Sequence, residues 1–492
     1  MTPASLDPSD WEAFRRTMHE AVDGIVDGLA ALPDARAWRS VPDEVKAALR
    51  EPLPREGEPL DATRARFAEL IAPYATGNRH PRFFGWVHGA GTPAGVLAEL
   101  LAAAMNANVG GREHAAVYVE RAVIAWFIEL FGFPPGASGI LTSGTSMGNL
   151  LAVVAARDAA LGTGARAAGL GNARLTAYAG AGVHDSVVKA LRVAGLGEDA
   201  LRLIPLDARF AIDLDALRAR IAADRAAGAQ PFLVAGTAGS VDTGAFDRLD
   251  ELADLCAAER LWLHVDGAFG ALAKLSPAHA HLVDGLERAD SLAFDAHKWL
   301  HAPYAAGCVL FRDEAAHRAA FASDPAYLAR AERGAAAGAP WFTDYGIELS
   351  REFRALKIWF TLRHFGADRL GASIARTCDL AALLGTLVEG ASDLELLAPV
   401  MLNVVCFRYV RPGLDDRELD ALNDAIAIAV QESGVAVTST TRIGGRRALR
   451  VCIVNHRTAE IDLDMLLVAV RTAAITAGAE MPAMIAPVET TR

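Results

Sequence analysis

Short apolar runs that alternate with helical patterns are the feature that most constrains the fold of this 492-residue chain. Such alternation predicts an α/β fold in which helices cover both faces of a mainly parallel sheet, because parallel strands need long crossover connections. In sheets of this kind ligands bind beyond the carboxyl ends of the strands. The predicted strands are residues 139–141, 175–179, 201–204, 232–235, 261–265, 291–294 and 308–311.

The same patterns divide the chain into three parts. Apolar residues at helical spacing predict an amphipathic helix over 7–32, within an N-terminal helical arm that spans residues 1–75. Because this arm has no sheet of its own, we expect it to pack on the main body or on a second copy of the chain. Residues 76–369 hold the predicted sheet in a large domain. Residues 370–492 form a small C-terminal α/β domain, with predicted strands at residues 403–409, 435–439 and 449–454.

Composition and charge exclude several classes of function. Although 52% of the residues are hydrophobic, no run approaches the roughly 18 consecutive apolar residues of a membrane span. The net charge of −12 and the lack of a basic cluster argue against a nucleic-acid partner. Five scattered cysteines indicate neither a disulfide framework nor a zinc site, and early acidic residues do not fit a secretory signal. We therefore expect a cytoplasmic protein.

The stretch SLAFDAHKWL, residues 291–300, carries the strongest chemical signal. A buried strand ends there in an acid, a histidine and Lys298, which is followed by Trp299. Partial desolvation would favour a neutral, nucleophilic amine, which a Schiff-base lysine needs. Taken alone, the stretch fits equally well an interfacial lysine whose stem packs on Trp299 while its ammonium group reaches water.

Four other segments that follow predicted strands place polar or small residues near the same sheet edge. Asp266 ends a buried strand 32 residues before Lys298, about the length of one crossover and one strand. The turn LTSGTSMGNL, residues 141–150, opens a helix and offers backbone N–H groups to a phosphate, although it lacks the P-loop lysine and G-x-G-x-x-G. His184 opens another helix, and Thr237 lies in a segment of small residues. A capping residue or a plain helix start explains each segment alone, but their combination at strand ends indicates a site.

In this order the motifs resemble those of the group II pyridoxal-phosphate-dependent amino-acid decarboxylases, the aromatic-L-amino-acid decarboxylase family of fold type I. The resemblance runs from about residue 79 to residue 470. The segments that carry it are HPRFF (80–84), TSG (142–144), HDS (184–186), GT (236–237), HVD (264–266), DAHKW (295–299), SR (350–351), FRALKIW (353–359) and LRVC (449–452).

The resemblance implies that pyridoxal 5'-phosphate is bound covalently to Lys298 and that Asp266 pairs with its ring nitrogen, which keeps the ring an electron sink. It further implies that His184 stacks on one face of the ring and Ala268 lies against the other. The other residues implied to contact the cofactor, chiefly at its phosphate, are Thr145, Ser146, Thr237 and His297.

The resemblance also implies a homodimer with shared active sites and a mobile loop around Tyr327. In the family a tyrosine at this place returns a proton to the substrate carbon, so Tyr327 favours simple decarboxylation to an amine and CO2 over formation of an aldehyde. With Lys298 and His184, Tyr327 completes the expected catalytic set.

Departures from the family pattern concern the substrate. Asn106 and Asn108 stand where aromatic-specific members carry apolar side chains. An aromatic L-amino acid is the expected substrate, with an acidic or aliphatic amino acid as the alternative. An aminotransferase and an inactive cofactor-binding dimer also remain open, whereas a nicotinamide dehydrogenase is disfavoured because no dinucleotide fingerprint follows any strand.

Overall fold

The computed structural model describes residues 5–162, 164–323 and 328–484. Its larger sheet has seven strands in the spatial order first, seventh, sixth, fifth, fourth, second, third, and only the seventh runs antiparallel to its neighbours. The mainly parallel sheet predicted from sequence is confirmed. The strands are β1 (Ser138–Thr142), β2 (Leu175–Gly180), β3 (Leu201–Ile204), β4 (Gln230–Thr237), β5 (Trp262–Asp266), β6 (Ser291–Asp295) and β7 (Gly307–Phe311).

The centre of this sheet is buried on both faces, as expected for parallel strands between helical layers. Every residue of β1, β2, β6 and β7 is buried. The parallel register pairs Thr237 with Asp266 and Asp266 with Ala293. The carboxyl ends of β4, β5 and β6 therefore lie side by side at one edge, where the site is built.

Helices before, between and after these strands form the two covering layers. The helix after β1 packs on β6 and β7, and a single helical turn follows β6 directly. The helices are α4 (Pro93–Met105), α5 (Ala115–Phe131), α6 (Thr145–Leu161), α7 (Ala165–Ala168), α8 (Asp185–Val193), α9 (Leu214–Ala226), α10 (Leu249–Glu259), α11 (Ala296–Trp299), α12 (Glu314–Phe321) and α13 (Ala355–Phe365).

The N-terminal arm holds the three helices that precede these, and none of them contains a buried residue. They are α1 (Trp11–Ala30), α2 (Asp43–Ala48) and α3 (Leu60–Leu70). Large apolar side chains of the arm face solvent in the single chain, among them Trp11, Ile25 and Phe67. The arm is tied to the small domain by backbone contacts, such as the N–H of Ala37 donating to the carbonyl of Gly434.

The C-terminal part forms an antiparallel sheet with its own apolar core. Its strands are β8 (Leu394–Leu396), β9 (Val404–Tyr409), β10 (Ser439–Ile443) and β11 (Arg446–Cys452), and its helices are α14 (Ala367–Glu389), α15 (Asp416–Ser433) and α16 (Glu460–Met484). By length and composition α14 could cross a membrane, but 50% of its apolar window is buried and it contacts β8 and β9, as a core helix does.

One strand predicted in the small domain is wrong. Residues 435–439 read as a strand, but the strand of the small sheet begins only at Ser439. The apolar residues before it pair elsewhere, since Val437 forms a parallel bridge with Phe83 and accepts the N–H of Phe84. The sequence pattern at residues 435–439 predicts extended backbone, but it does not show which segment this backbone pairs with. The strand β8 is only three residues long, and the sequence did not predict it.

Candidate active site

A cavity of about 230 Å³ opens at the carboxyl edge of β4, β5 and β6. Five of the residues expected to contact the cofactor line it together, although they come from four separate segments of the chain. The residues lining the cavity are Trp86, Val87, His88, Gly182, His184, Thr237, Gly239, Val241, Asp266, Ala268, Phe269 and Lys298.

Lys298 lies in α11, one turn beyond the end of β6, and its side chain is 18% exposed. Its Nζ is 2.9 Å from Oδ2 of Asp295, and that carboxylate is buried. The sequence predicts a partly desolvated lysine amine, whereas the structure pairs this amine with a buried carboxylate. Asp295 belongs to the same sequence motif as Lys298, but the sequence did not predict the contact between the two side chains.

Asp295 also joins Lys298 to the first turn of α6, where the phosphate was expected. Its Oδ1 accepts the backbone N–H of Thr145 at 2.7 Å. The hydroxyl of Thr145 is buried and finds no hydrogen-bond partner in residues 5–162, 164–323 and 328–484, and Ser146 beside it is exposed. Neither residue lines the lysine cavity. They form a separate group of donors at a helix N-terminus, a place that favours an anion.

His297 belongs to the same group. Its Nδ1 accepts the N–H of Ala306 at 3.1 Å, and its Nε2 is 3.6 Å from Oδ2 of Asp295. Burial lowers the pKa of His297 to about 4, so the ring is neutral near pH 7 and carries its hydrogen on Nε2. Gly89 packs against this turn so closely that a Cβ there would overlap the carbonyl oxygen of His297.

On the opposite side, Asp266 is held by two hydrogen bonds at the end of β5. Its Oδ1 accepts the N–H of Ala268 at 3.2 Å, and its Oδ2 accepts Nδ2 of Asn149 at 2.9 Å. Asn149 lies on α6 and is fully buried. Both oxygens retain lone pairs, so the carboxylate is oriented and still able to accept another donor.

His184 is the N-cap of α8 and is exposed in the single chain. Its Nδ1 accepts the backbone N–H of Ser186 at 3.2 Å and lies 2.7 Å from the hydroxyl of the same residue. A ring nitrogen that accepts a backbone N–H carries no hydrogen, so the neutral ring presents an Nε2–H. Capping thus fixes the ring at the mouth of the cavity.

Beside the cavity wall, Arg450 is a buried cation that sequence reasoning did not assign to the site. It is 3% exposed, and within the described part of the chain its Nε and Nη2 have no hydrogen-bond partner. Its Nη1 lies 3.3 Å from the hydroxyl of Ser439, which also accepts the backbone N–H of Trp86. Arg450 belongs to the motif LRVC of the family resemblance, but the surroundings of its guanidinium nitrogens are evident only from the structure.

Of three other predicted residues, one is not described by the structure and two lie away from the cavity. Tyr327 falls outside the described residues. Asn106 and Asn108 are exposed and do not line the cavity of their own chain. The Oδ1 of Asn108 instead accepts the backbone N–H groups of Arg351 and Gly110, which holds the α4–α5 connection against the segment before α13.

Comparison with known proteins identifies the family. Residues 42–410 match the family model described as the pyridoxal-dependent decarboxylase conserved domain. An aromatic-L-amino-acid decarboxylase of Bacillus atrophaeus is 33% identical over 94% of this chain and 96% of that protein. The chain belongs to the pyridoxal-dependent decarboxylase family. It is a pyridoxal-phosphate-dependent amino-acid decarboxylase, a carboxy-lyase, and the resemblance seen in the sequence is confirmed.

Other similar proteins differ in the substrate that their names give. An L-2,4-diaminobutyrate decarboxylase of Rhizobium meliloti is 32% identical over 92% of this chain and 90% of that protein. The crystal structure of an Oryza sativa TDC with PLP and tryptamine superposes with a TM-score of 0.88 at 27% identity, covering 96% of this chain and 99% of that one. The fold type I architecture of this decarboxylase is thereby confirmed.

The residues at the sheet edge fit pyridoxal phosphate. The amine of Lys298 and the oriented carboxylate of Asp266 line the same cavity. A flat cofactor that carries a carbonyl group and a ring nitrogen needs an amine for the first and a carboxylate for the second. The unpartnered hydroxyl of Thr145 and the Nε2–H of His297 supply donors for a phosphate at the N-terminus of α6. The small side chain of Ala268 leaves room for a ring to lie against it.

Proposed function

We propose that this decarboxylase converts an aromatic L-amino acid to its amine and CO2, with the cofactor held covalently by Lys298. The observation that carries the aromatic assignment is the cavity wall, to which Trp86, Val87, Val241 and Phe269 contribute apolar surface. Such a wall favours an uncharged, apolar substrate side chain over a charged one. The relatives named as acting on aromatic amino acids support the same choice.

A non-aromatic substrate is the second candidate, because the similar protein of Rhizobium meliloti is named as a decarboxylase of L-2,4-diaminobutyrate. A charged substrate side chain would need an opposite charge in the wall. Among the described residues that line the cavity, Asp266 is the only carboxylate and Lys298 the only lysine, and both already serve the cofactor. This candidate therefore needs a charge from outside these residues.

When bound, pyridoxal phosphate accepts the electron pair that remains when the bond to the carboxylate breaks. The protein's own groups prepare this step. Asp266 would accept a hydrogen bond from the ring nitrogen of the cofactor and so keep a proton on it. His184, fixed by its capping bonds, would lie against the cofactor ring and offer its Nε2–H for proton transfer. Tyr327 is proposed to return a proton to the same carbon.

Arg450 is proposed to bind the carboxylate of the incoming amino acid. Two of its buried nitrogens have no partner among the residues that the structure describes, and leaving charged donors unpaired is costly. A carboxylate would satisfy both in a bidentate contact. Its link through Ser439 to the backbone of Trp86 couples this contact to the apolar wall.

The active assembly is proposed to be a homodimer. The exposed apolar residues of α1 and α3 cannot be buried within the arm, and further apolar residues face solvent on α4. A second copy of the chain would cover these surfaces by two-fold symmetry. In such a dimer Asn106, at the end of α4, and Asn108 become candidates for contact with the partner's substrate.

Borohydride reduction of the cofactor-loaded enzyme tests the covalent assignment, and a panel of L-amino acids tests the substrate. We expect the reduced cofactor on the peptide that contains Lys298, together with equal amounts of amine and CO2 from aromatic amino acids without a keto-acid acceptor. Label on another lysine would overturn the first assignment. Turnover confined to acidic or diamino substrates would overturn the second.

A further inference from the structure

A chain of buried hydrogen bonds runs behind the cofactor cavity and ends at two groups that face it. It links Trp262, Ser291, His264 and Asn149, then divides towards Asp266 on one branch and Ser186 with His184 on the other. His264, Ser291 and Asn149 are completely buried. Solvent therefore cannot replace a hydrogen bond that is lost between these three residues.

The direction of every hydrogen bond follows from the donors available. The indole N–H of Trp262 can only donate, and it donates to the hydroxyl of Ser291 at 2.8 Å. The hydroxyl hydrogen is then free for Nδ1 of His264, 2.9 Å away. The neutral ring of His264 carries its remaining hydrogen on Nε2 and donates it to Oδ1 of Asn149 at 2.9 Å.

This bond fixes the orientation of the Asn149 amide, with Oδ1 towards His264 and Nδ2 towards the cavity. The two hydrogens on Nδ2 then go to Oδ2 of Asp266 and to the hydroxyl of Ser186, each at 2.9 Å. The hydroxyl of Ser186 passes its own hydrogen to Nδ1 of His184 at 2.7 Å. Every donor in this hydrogen-bond network has one acceptor, so the amide of Asn149 cannot flip without breaking several hydrogen bonds.

We propose that Asn149 is a positioning residue that locks Asp266 and His184 together, so that the ring-nitrogen partner and the ring-face partner of the cofactor are set by one side chain. This inference rests on the proposed roles of Asp266 and His184. Asn149 lies one turn after Thr145 on α6, so the same helix that offers donors to the phosphate also orients the other two contacts.

Two substitutions test this by different routes. Asn149→Leu removes the acceptor and both donors at similar volume. Asn149→Asp retains the acceptor for His264 but places a second carboxylate against Asp266. We expect each variant to lower kcat about 10- to 100-fold, with a smaller change in KM, because the lost contacts orient catalytic groups rather than the substrate.

Readouts on the bound cofactor separate positioning from stability. Both variants should release the cofactor faster and alter its visible absorption, and nitrogen NMR of ring-labelled cofactor should show a less protonated ring nitrogen. Ser186→Ala breaks only the branch to His184, so it should lower kcat and leave the ring-nitrogen signal unchanged. Asn423→Leu is the matched control, because Asn423 is an equally buried amide bonded to Tyr409 and Leu419 in the small domain.

The inference is overturned if the Asn149 variants keep the wild-type absorption, nitrogen signal and kcat and lose only thermal stability, as the Asn423 control should. It is also overturned if Ser186→Ala moves the ring-nitrogen signal as far as Asn149→Asp does. Failure of the proposed function is a different outcome, in which the wild-type protein itself neither binds pyridoxal phosphate nor releases CO2.

Discussion

The two sides of the cavity differ in how completely their polar groups are paired. Behind the cofactor, Asp266, Asn149 and His264 form a dry network in which each donor has an acceptor. Beside the apolar wall, Arg450 is just as buried, but two of its nitrogens have no partner among the described residues, and Trp86 is 52% exposed. The groups proposed to serve the cofactor are thus paired with one another within one chain, whereas those proposed to serve the substrate are only partly paired.

The largest effect is expected on the cofactor side, from Lys298→Ala. Removing the proposed attachment point should lower kcat/KM by at least about 10⁴-fold, because a group that acts in the chemistry has no substitute nearby. Borohydride should then fix no cofactor to the protein. Lys189→Ala serves as the control, since that exposed lysine pairs with Asp185 and does not line the cavity. Covalent retention of the cofactor by the Lys298 variant would refute the assignment.

On the substrate side, Arg450→Met should raise KM about 10- to 100-fold and change the absorption of the bound cofactor little. Arg450→Lys, which keeps the charge but not the bidentate geometry, should fall between this variant and the wild type. Steady-state kinetics and absorption spectra on the same samples check both points. Arg442→Met, on the exposed face of β10, is the control. An unchanged KM would show that Arg450 binds no substrate group.

Buried histidines, one inside the dry network and one outside it, should also make the protein sensitive to acid. Burial lowers the pKa of His264 to about 4 and that of His317 to about 3, below the usual 6.5. The unfolded chain therefore takes up these protons first, so stability is full above about pH 6.5 and falls as the pH drops towards 4. Each histidine should cost about 2 kcal/mol by about pH 5.

Urea unfolding of the cofactor-free protein at neutral pH and at about pH 5 measures this loss. His264→Gln and His317→Gln should each flatten the pH dependence, because glutamine does not titrate. Only His264→Gln should also weaken cofactor binding, since His317 bonds to Ser138 and the carbonyl of Tyr345 away from the cavity. Equal effects of the two variants on the cofactor would contradict the separation of the two regions.

The smallest effect is expected in the arm, where Ile25→Asp combined with Phe67→Asp should raise the dimer dissociation constant at least about tenfold. Both side chains are about half exposed in the single chain. Arg16→Asp, also exposed on α1, should leave the constant unchanged. Sedimentation across a concentration series measures it, with activity followed in parallel. A wild-type protein that sediments as a monomer and is fully active would contradict the proposal that the active assembly is a homodimer.

The sequence predicted the sheet, its functional edge and the lysine cavity, because these depend on local patterns and on the ends of strands. The contacts that organise the site join distant segments instead. Thr145 and Asp295 are 150 residues apart, and Asn149 and His264 are 115 apart. Asn149 lies within the motif LTSGTSMGNL, but helical periodicity alone does not show which face of α6 packs against β5. The unpaired nitrogens of Arg450 have no sequence signature.

The most direct test of the central claim is simultaneous measurement of CO2 and amine from purified, cofactor-loaded protein offered aromatic, acidic, diamino and aliphatic L-amino acids separately. The account predicts equal amounts of CO2 and amine from an aromatic amino acid, without a keto-acid acceptor and with little turnover of the charged substrates. Release of CO2 only from a charged amino acid, or formation of an aldehyde in place of the amine, would contradict it.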